Sequence, residues 1–543
     1  MKRWVKTFFS LLLLIFILTG CAYKDGDVYK IPEPKEYKSQ AQKNIDNLYG
    51  VYYHIYPRIF RDSDGDGIGD IQGIIDALDY LNDGNSNTDT DLGINGIWIT
   101  PLTKSPSEHK YNTTNFCEID AEYGTIEDYK ELIEKSHKRG IKVIMDFAVN
   151  HVSCEHPWYK DALKNPKSIY RNYFRWINGD TDVYNIKASP WGRKVWVKKG
   201  GYYNYCLFED TVPDLNFDNP KVREEIKKIA KFWIDTGVDG FRLDTANNIY
   251  GPDEYPKGTD RVGNNISWWM EFSNYVRGIK PEIMLIGEIW DKPDVIAPYL
   301  EPFDGAWNFT IQESLPNILN SGFDGGGFTS KLEKQYKEYD SVTKDYMDLP
   351  FLTNHDQDRI MGRLRNDVVK AKLAANIYMT LPGAPFIYAG EEIGMTTGNM
   401  RTPIKWFDEY KAPQTKCDTI KNSEKIVPLE RQKDDPKSLY NHYKTVIRVR
   451  QGNEALMKGD FKAIDTGTNK VIGYMRSINK DNEAASKVIV LHNINFEEQI
   501  IEVKDIDISG VSVYYETEGL GQNTIINNKI KLKPQSTLIL EIK

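Results

Sequence analysis

The sequence predicts an α/β protein built on a (β/α)8 TIM barrel, and three features of the chain carry this prediction. Eight short apolar runs alternate with helix-like segments between about residue 49 and residue 389. Near-continuous apolar strands alternating with helices are typical of a parallel sheet, and eight such units suggest a closed barrel. One connection, after the third strand, is far longer than the others. After about residue 438 the sequence pattern changes to short β-like runs separated by Asn, Gly and Asp. We therefore expect an inserted domain after the third strand and a C-terminal antiparallel β-sandwich domain.

Composition sets the class of protein. The chain has 543 residues, of which 40% are hydrophobic and 27% charged, as in soluble globular proteins of about two or three domains. The formal net charge of −8 argues against a nucleic-acid surface, and we expect no nucleic-acid partner. Aromatic residues make up 12% of the chain. They fit either a large core or a groove that stacks flat ligands such as sugar rings.

The N-terminus has the pattern of a bacterial secretory signal. A basic start precedes an apolar run from Phe8 to Leu18, which is short for a transmembrane helix. The stretch "LTGC" ending at Cys21 resembles the lipobox of bacterial lipoproteins, which implies cleavage before Cys21 and lipid attached to it. We expect residues 1–20 to be a signal peptide; the alternative is a plain signal peptide with an incidental cysteine.

Residues 21–48 are polar, contain two prolines and predict a lipid-anchored tether. This places the protein on the extracellular face of the bacterial cell membrane, held there through the lipid anchor only. We expect a monomer.

The barrel is expected in two parts, 49–151 and 217–438. Its strands are predicted in the runs "YGVYYHIYPRIF", "GINGIWITPL", "IKVIMDFAVNH", "VDGFRLDTA", "IMLIGEIW", "FDGAWNF", "DLPFLTN" and "APFIYAG". The segment "NPKVREEIKKIAKFWIDTG" predicts a helix that ends at Gly237. Residues 152–216 are expected to form the inserted domain, and residues 439–543 the C-terminal β domain. Cys154 and Cys206 could pair after export, or both could be buried thiols.

Polar residues stand at the ends of the predicted strands, where chemistry in a barrel is located. A charged side chain after an apolar run is costly to bury without a purpose. One such residue would most often be structural, but several converging on one mouth form a candidate site. They are Asn150, His151, Arg242, Asp244, Glu288, His355 and Asp356.

Two carboxylates across a cleft are what glycoside hydrolysis requires. One attacks the anomeric carbon, and the other stays protonated until it gives its proton to the leaving oxygen. An arginine beside the first carboxylate favours its charged form. The strand-end residues of this chain supply all three groups.

Four of these stretches, "DFAVNH", "GFRLDTA", "GEIW" and "TNHDQ", resemble the α-amylase superfamily, glycoside hydrolase family thirteen, in order and in strand position. A fifth, "VPDLN", lies near the end of the long insertion, as in that family. The resemblance implies that Asp244 is the nucleophile, Glu288 the general acid and base, and Asp356 the stabiliser of the distorted sugar. Arg242 would hold Asp244 in place. Retention of configuration is expected, with the two carboxyl groups about 5 to 5.5 Å apart.

The resemblance also implies residues that contact the sugar at the cleavage subsite. His151 and His355 would hydrogen-bond it. The stretch "SEHKY" is similar to the family's "YHGY", so His109 and Tyr111 would contact it too, with Lys110 in place of the usual glycine. Arg359 is expected to help bind the neighbouring sugar.

The stretch "DSDGDGIGD", residues 62–70, has the opening half of a calcium loop. An EF-hand would need a glutamate at the twelfth position, where this chain has Gly73, and a helix instead of a strand before the loop. The stretch resembles a calcium site that follows the first strand in some branches of the superfamily. The ligands would be Asp62, Asp64, Asp66 and Asp70 through side chains and Ile68 through its carbonyl. A solvated acidic turn, or magnesium in place of calcium, is the alternative.

Within the family, Thr245 after the nucleophile favours α-1,4 over α-1,6 bonds, and "VPDLN" is associated with α-amylases intermediate between the oligo-1,6-glucosidase and neopullulanase groups. We therefore expect an endo-acting α-amylase on starch or maltooligosaccharides. The alternatives are an α-glucosidase, a cyclomaltodextrinase or a 4-α-glucanotransferase. A non-catalytic surface glucan-binding lipoprotein is a remote alternative, because such a protein need not keep all three carboxylates.

Overall fold

The computed structural model describes residues 43, 45–178, 189, 191–255, 258–396, 400–408, 414–416, 426–480, 483–503, 506, 508, 510–517, 524–526 and 529–542. The predicted signal peptide, Cys21 and the tether up to residue 42 lie outside these residues. Among the described segments, no helix combines the length and the apolar character needed to cross a membrane.

The strands up to residue 388 are β1 (Tyr52–Ile55), β2 (Gly96–Ile99), β3 (Thr103–Lys104), β4 (Asn115–Ile119), β5 (Lys142–Phe147), β6 (Trp176–Asn178), β7 (Trp196–Lys199), β8 (Tyr202–Tyr205), β9 (Gly240–Leu243), β10 (Met284–Gly287), β11 (Gly305–Trp307), β12 (Met347–Leu349) and β13 (Phe386–Tyr388). The helices are α1 (Pro57–Phe60), α2 (Ile71–Asp76), α3 (Leu78–Leu81), α4 (Ile126–His137), α5 (Pro157–Lys164), α6 (Pro220–Thr236), α7 (Arg261–Ile279), α8 (Pro293–Ile296), α9 (Phe309–Ser321), α10 (Phe328–Val342), α11 (Ile360–Arg363), α12 (Val368–Thr380), α13 (Leu429–Asp434), α14 (Leu439–Gln451) and α15 (Glu454–Lys458).

Eight parallel strands form the barrel, in the order β12-β11-β10-β9-β5-β2-β1-β13. Each lies inside one of the eight predicted runs or within one residue of it, so the predicted fold class is confirmed. The two ends of the sheet meet where Phe351 bridges Phe386 in parallel and the Phe386 N–H donates to the Pro350 carbonyl at 2.9 Å. All eight strands therefore point their carboxyl ends to one mouth.

The helix α6 shows how the sequence fixes the outer layer. The Asn219 side chain accepts a hydrogen bond from the Lys221 N–H, and Pro220 occupies the first helical position. Gly237 ends the helix with φ of 115°, a conformation that favours glycine. The predicted end of this helix is confirmed. Its apolar stripe, which includes Trp233, is buried in the layer between helices and barrel.

The base of the barrel is closed by the segment just before the first strand. A 3-10 helix, Ile45–Leu48, places Leu48 in the core inside the barrel, and Tyr52 donates its hydroxyl hydrogen to the Leu48 carbonyl at 3.0 Å. The prediction that residues 21–48 are all tether is therefore wrong at its end. The buried leucine makes residues 45–48 part of the folded barrel.

The long connection after β5 contains a small antiparallel sheet in the order β6-β8-β7. Its own apolar cluster includes Val195, Trp196, Tyr205 and Leu207. In this region Cys154 and Cys206 are free, so a bond between them is wrong, and the Cys206 thiol donates to Asn204 Oδ1 at 3.4 Å. Cys117, in β4, is disulfide-bonded.

The C-terminal domain is antiparallel, as predicted. Its strands are β14 (Asp460–Ala463), β15 (Val471–Lys480), β16 (Glu483–Asn493), β17 (Gln499–Glu502), β18 (Val511–Glu516), β19 (Thr524–Ile526), β20 (Lys529–Leu532) and β21 (Ser536–Ile542). A sheet in the order β14-β15-β16-β21-β18 and a sheet in the order β17-β20-β19 share one apolar core. The two sheets pack face to face across that core.

The predicted boundary at residue 438 comes earlier than the first strand of this domain. Ser438 caps α14 by accepting from the Asn441 N–H, and Tyr440, Tyr443 and Ile447 form its buried stripe. This helix packs against α12 of the barrel. The sheet itself begins only at Asp460, so residues 439–458 are helical and belong to the barrel's outer layer.

Candidate active site

The predicted strand-end residues meet at the mouth of the barrel. Asp244 follows β9 directly, Glu288 follows β10, and His355 and Asp356 lie beyond β12. Arg242 is the third residue of β9 and is 1% exposed. Asp244, Glu288 and His355 are also buried, whereas Asp356 is exposed at the rim.

Arg242 is the centre of this arrangement. Its Nη1 lies 2.6 Å from Asp244 Oδ1 and 3.0 Å from Asp146 Oδ1, and its Nη2 lies 2.6 Å from Glu288 Oε1. The second oxygen of Glu288 accepts from the Thr245 N–H at 3.1 Å. Nη1 makes charge-assisted hydrogen bonds to both aspartates, whereas the contact of Nη2 with Glu288 is an ion pair. Asp244 and Glu288 are thus held on the two arms of one guanidinium.

Burial dominates the electrostatics of the site. It raises the pKa of Asp244 well above its usual value, against the pull of Arg242, and Glu288 and Asp146 raise that pKa further. Burial likewise raises the pKa of Asp146 to about 6. The neighbouring carboxylates in turn raise the pKa of Arg242 well above its usual value. The guanidinium therefore stays charged, and the surrounding carboxylates share its single positive charge.

Asp146 is a buried site residue that the sequence analysis did not select. It lies within β5, where its Oδ2 accepts from Tyr111 Oη at 3.0 Å and from Trp98 Nε1 at 3.2 Å. Together with its contact to Arg242, this makes it the anchor beneath the site. The signal was present, since an aspartate interrupts the apolar run "KVIMDF".

Tyr111 and His355 form one wall. Tyr111 Oη lies 2.7 Å from His355 Nε2, and the two rings are nearly parallel with centroids 5.5 Å apart. His355 Nε2 also lies 3.1 Å from Asp356 Oδ2. Arg401 holds the other oxygen of Asp356, with Nη2 to Oδ1 at 3.0 Å. Arg401 comes from the loop after β13, and nothing in the local sequence pattern identified it.

His109 and Lys110 lie on the loop that carries Tyr111. His109 Nδ1 accepts from the Tyr111 N–H at 3.2 Å, and burial lowers the pKa of His109. Lys110 has φ of 63°, a left-handed conformation that explains why the resembling motif has glycine there. Its ammonium is buried and paired with Asp120 at 2.9 Å and Glu122 at 2.8 Å. These ion pairs offset the strain that a side chain brings at this position.

His151 lies on the side of the inserted domain. It bridges Asp214 of the "VPDLN" stretch, and its ring contacts Phe208 with centroids 5.3 Å apart. Burial lowers the pKa of His151 to about 4, so its imidazole is neutral in ordinary buffers. The structure thus places His109 and His151 near Tyr111 at the mouth of the barrel, and their contacts with a sugar stay a prediction.

Arg359 does not face the cleft. It is 1% exposed and donates Nη1 to the Ala389 carbonyl at 2.8 Å and Nε to Thr402 Oγ1 at 3.1 Å. The expectation that it binds a neighbouring sugar is wrong, because these bonds and its burial commit it to holding the loop after β13.

The aspartate loop lies between α1 and α2. Asp62, Asp64 and Asp70 each offer a carboxylate oxygen, and these atoms lie within 4.8 Å of one another. Asp62 is 1% exposed and also accepts from the Gly65 and Gly67 N–H groups at 2.7 and 2.8 Å. Hard oxygen donors at this spacing fit a calcium ion.

Asp66 stands outside this three-carboxylate cluster. Its Oδ1 accepts from the Ile68 N–H at 2.6 Å, within the same loop. The structure therefore brings together three of the four predicted side-chain ligands.

A closed parallel barrel with a pair of carboxylates at its mouth fits a glycoside hydrolase. Comparison with known proteins gives the family. Residues 54–459 match the model described as alpha amylase, catalytic domain. The chain belongs to this α-amylase family of glycoside hydrolases.

Individual relatives carry several names. The chain is 37% identical to alpha-amylase 3 of Dictyoglomus thermophilum, over 91% of this chain and 93% of that protein. It is 30% identical to an oligo-1,6-glucosidase of Bacillus cereus (91% and 98%) and 30% identical to a 4-alpha-glucanotransferase of Thermotoga maritima (83% and 97%). The crystal structure of an alpha-amylase from H. orenii matches with a TM-score of 0.83 and 38% identity, over 91% of this chain and all of that one.

Proposed function

We propose that this protein hydrolyses α-1,4-glucosidic bonds inside starch and maltodextrins, with retention of configuration through a covalent glycosyl-enzyme. The observation that carries the proposal is the fork of Arg242, which holds Asp244 and Glu288 on its two terminal nitrogens at 2.6 Å each. Both carboxyl groups are therefore held beside each other at the mouth of the barrel, as a nucleophile and an acid that act on one glycosidic bond must be.

Each residue then has a role at a stated atom. Asp244 attacks the anomeric carbon while Glu288 gives its proton to the leaving oxygen, and Glu288 later takes a proton from the incoming water. Asp356, held between His355 and Arg401, binds hydroxyls of the sugar as its ring flattens. Tyr111 offers a ring for the apolar face of the same sugar, and His109 and His151 offer hydrogen bonds.

The α-1,4 preference and internal cleavage rest on two kinds of support. Thr245 follows the nucleophile, where threonine favours α-1,4 bonds. Relatives named alpha-amylase match 91% of this chain at 37% identity and, in a solved structure, at 38% identity. The substrate is thus a starch chain or maltooligosaccharide.

Transfer of glucan chains is the second candidate. The relative named 4-alpha-glucanotransferase matches over 97% of its own length. Hydrolase and transferase share the first step and differ in whether water or a sugar hydroxyl attacks the intermediate.

A product time course separates these readings. Protein lacking residues 1–21 would be incubated with soluble starch, with maltotriose and with pullulan. A rapid fall in iodine colour with mixed oligosaccharides is the expected result. Glucose alone would indicate an α-glucosidase, longer products from maltotriose a transferase, and no product from any of the three a binding protein.

We also propose that the aspartate loop holds calcium as a structural ion. Asp62, Asp64 and Asp70 would be the side-chain ligands, and the ion would tie the end of the first βα unit together. Asp66 and the Ile68 carbonyl complete the predicted set. For location, we propose anchoring through lipid on Cys21 at the extracellular face of the bacterial membrane.

A further inference from the structure

A histidine beneath the site has no role in the mechanism above. His54 is the third residue of β1 and is 1% exposed. Its ring lies on Trp98 with centroids 3.6 Å apart and on Tyr388 with centroids 4.9 Å apart. It also meets His355 edge to face, with centroids 5.1 Å apart and an interplanar angle of 77°.

Hydrogen bonding around His355 defines which of its nitrogens carries the proton. Tyr111 donates its hydroxyl hydrogen to Asp146, so Tyr111 Oη accepts from His355 Nε2. The contact between Nε2 and Asp356 likewise requires a hydrogen on Nε2. In a neutral imidazole this leaves Nδ1 as a bare acceptor.

Within the described part of the chain, His355 Nδ1 and both ring nitrogens of His54 are buried without a hydrogen-bond partner. Such orphans are costly, and they are rare in folded proteins. The polar hydrogens of the two rings stacked on His54 are already donated elsewhere. Trp98 Nε1 donates to Asp146, and the Tyr388 hydroxyl donates to the Met400 carbonyl.

The unmatched groups are complementary: a neutral His54 has one N–H to give, and His355 Nδ1 has a lone pair to receive it. We propose that His54 is a positioning residue that donates its ring N–H to His355 Nδ1 and so fixes the tautomer that presents Nε2–H to Tyr111 and Asp356. The ring centroids, 5.1 Å apart, place the two imidazoles directly next to each other.

Burial supports this assignment. It lowers the pKa of His54 well below its usual value, and the neighbouring His355, Arg242 and Arg359 lower it further. The pKa of His355 is lowered in the same way, by burial first and then by Arg242 and Arg401. Both rings are therefore neutral, and the neutral state of His355 is what gives its Nδ1 a lone pair to accept a hydrogen bond.

The inference rests on the proposed role of His355 at the cleavage subsite, and it is tested by two variants that separate bonding from packing. His54→Gln keeps a donor but loses the aromatic stack. His54→Phe keeps the stack but loses the donor. We expect His54→Gln to stay within about threefold of wild type, and His54→Phe to lower kcat about tenfold with little change in KM.

Ring-nitrogen NMR on histidine-labelled resting enzyme gives a readout that does not depend on the glucan cleaved. The His355 signals, assigned with His355→Gln, should show one tautomer in wild type and His54→Gln, and a mixture in His54→Phe. Tyr52→Phe, on the same strand, is the control and should leave the tautomer unchanged. An unchanged tautomer in His54→Phe, or an active His54→Phe beside an inactive His54→Gln, would overturn the proposal.

Discussion

Three carboxylates share one guanidinium at the mouth of the barrel. Asp146, Asp244 and Glu288 all contact Arg242, so the cluster carries more negative than positive charge in a buried place. Burial of this excess negative charge raises the pKa of Asp244 and of Asp146. Glycoside hydrolysis needs one acid protonated and one ionised, and in the proposed mechanism these are Glu288 and Asp244.

Asp244→Asn and Glu288→Gln test the two roles. Each replacement has nearly the shape of the original side chain, so the fold should remain while turnover on starch falls about 1000-fold or more. Asp235→Asn, at a surface ion pair with Lys231, is the control and should keep full activity. Near-normal turnover in either site variant would refute the assignment.

A second buried acid, Glu391, should make the free energy of unfolding depend on pH. Glu391 accepts from Tyr378 at 2.8 Å and from Tyr443 at 2.9 Å, and burial raises its pKa from 4.5 to about 8. This carboxyl binds a proton on folding, so its favourable contribution is present at low pH and is lost as the pH rises through about 8.

Glu391→Gln should remove that dependence. Relative to wild type, the variant should gain stability as the pH rises from about 5 to about 8, by at most about 1.4 kcal/mol per pH unit, and the difference should level off above about pH 8. Melting temperatures across this range measure the effect, with the exposed Glu282→Gln as control. Parallel curves for Glu391→Gln and wild type would show that Glu391 is ionised throughout.

Some site residues could be predicted from the sequence, and others could not. Asp244 and Glu288 end apolar runs, where a charge is conspicuous, and the motif around each supplies a role. Asp146 lies inside a run and acts through Arg242. Arg401 lies in the loop after β13, so only the folded structure shows that it contacts Asp356. Arg359 was predicted to bind a sugar, but it is buried away from the cleft.

At the scale of elements, the barrel strands were predictable because buried parallel strands are written as continuous apolar runs. The helix α14 was not predicted, because its half-polar sequence lies next to β-like runs. Its place in the outer layer of the barrel depends on the packing of its apolar residues against α12. The 3-10 helix at residues 45–48 was missed for a similar reason. One leucine, Leu48, ties an otherwise polar segment to the barrel.

For the aspartate loop, we predict that removal of calcium lowers the stability of the protein. If Asp62, Asp64 and Asp70 hold calcium, a chelator should lower the melting temperature by several degrees, because an ion that binds only the folded state stabilises it. Asp62→Asn should reduce that response.

A second loop supplies a matched control. Asp83 also accepts from backbone and hydroxyl groups in an Asx-rich turn, and Thr88 and Thr90 bind its Oδ2. Asp83→Asn should leave the response to chelator intact. An equal response in wild type and Asp62→Asn would remove the calcium claim for the first loop.

At the scale of the whole molecule, the C-terminal domain is fastened to the barrel through a buried arginine at the end of α12. Arg476 of β15 donates to the Thr380 carbonyl at 2.7 Å, between the Met379 and Leu381 carbonyls that accept from Arg450 of the barrel helix α14. These carbonyls stand at the end of α12, the negative end of its dipole. The barrel and the C-terminal domain are therefore joined by hydrogen bonds at the end of α12, which the sequence pattern alone did not indicate.

Attachment to the membrane is a prediction for the full chain. Cys21→Ala should move the protein from the membrane fraction to the medium, because lipid on that residue would be lost while the signal peptide stays. Cys206→Ala, a buried thiol outside the N-terminal segment, is the control. Continued membrane fractionation of Cys21→Ala would refute the lipid anchor.

The central claim is that Asp244 and Glu288 act by double displacement. Proton NMR of the first products from a maltooligosaccharide tests it directly, because the anomer is read before mutarotation mixes it. The account predicts that the α-anomer appears first and the β-anomer only later. A β-anomer at the earliest times would mean a single displacement by water, and the assignment of Asp244 as nucleophile would be wrong.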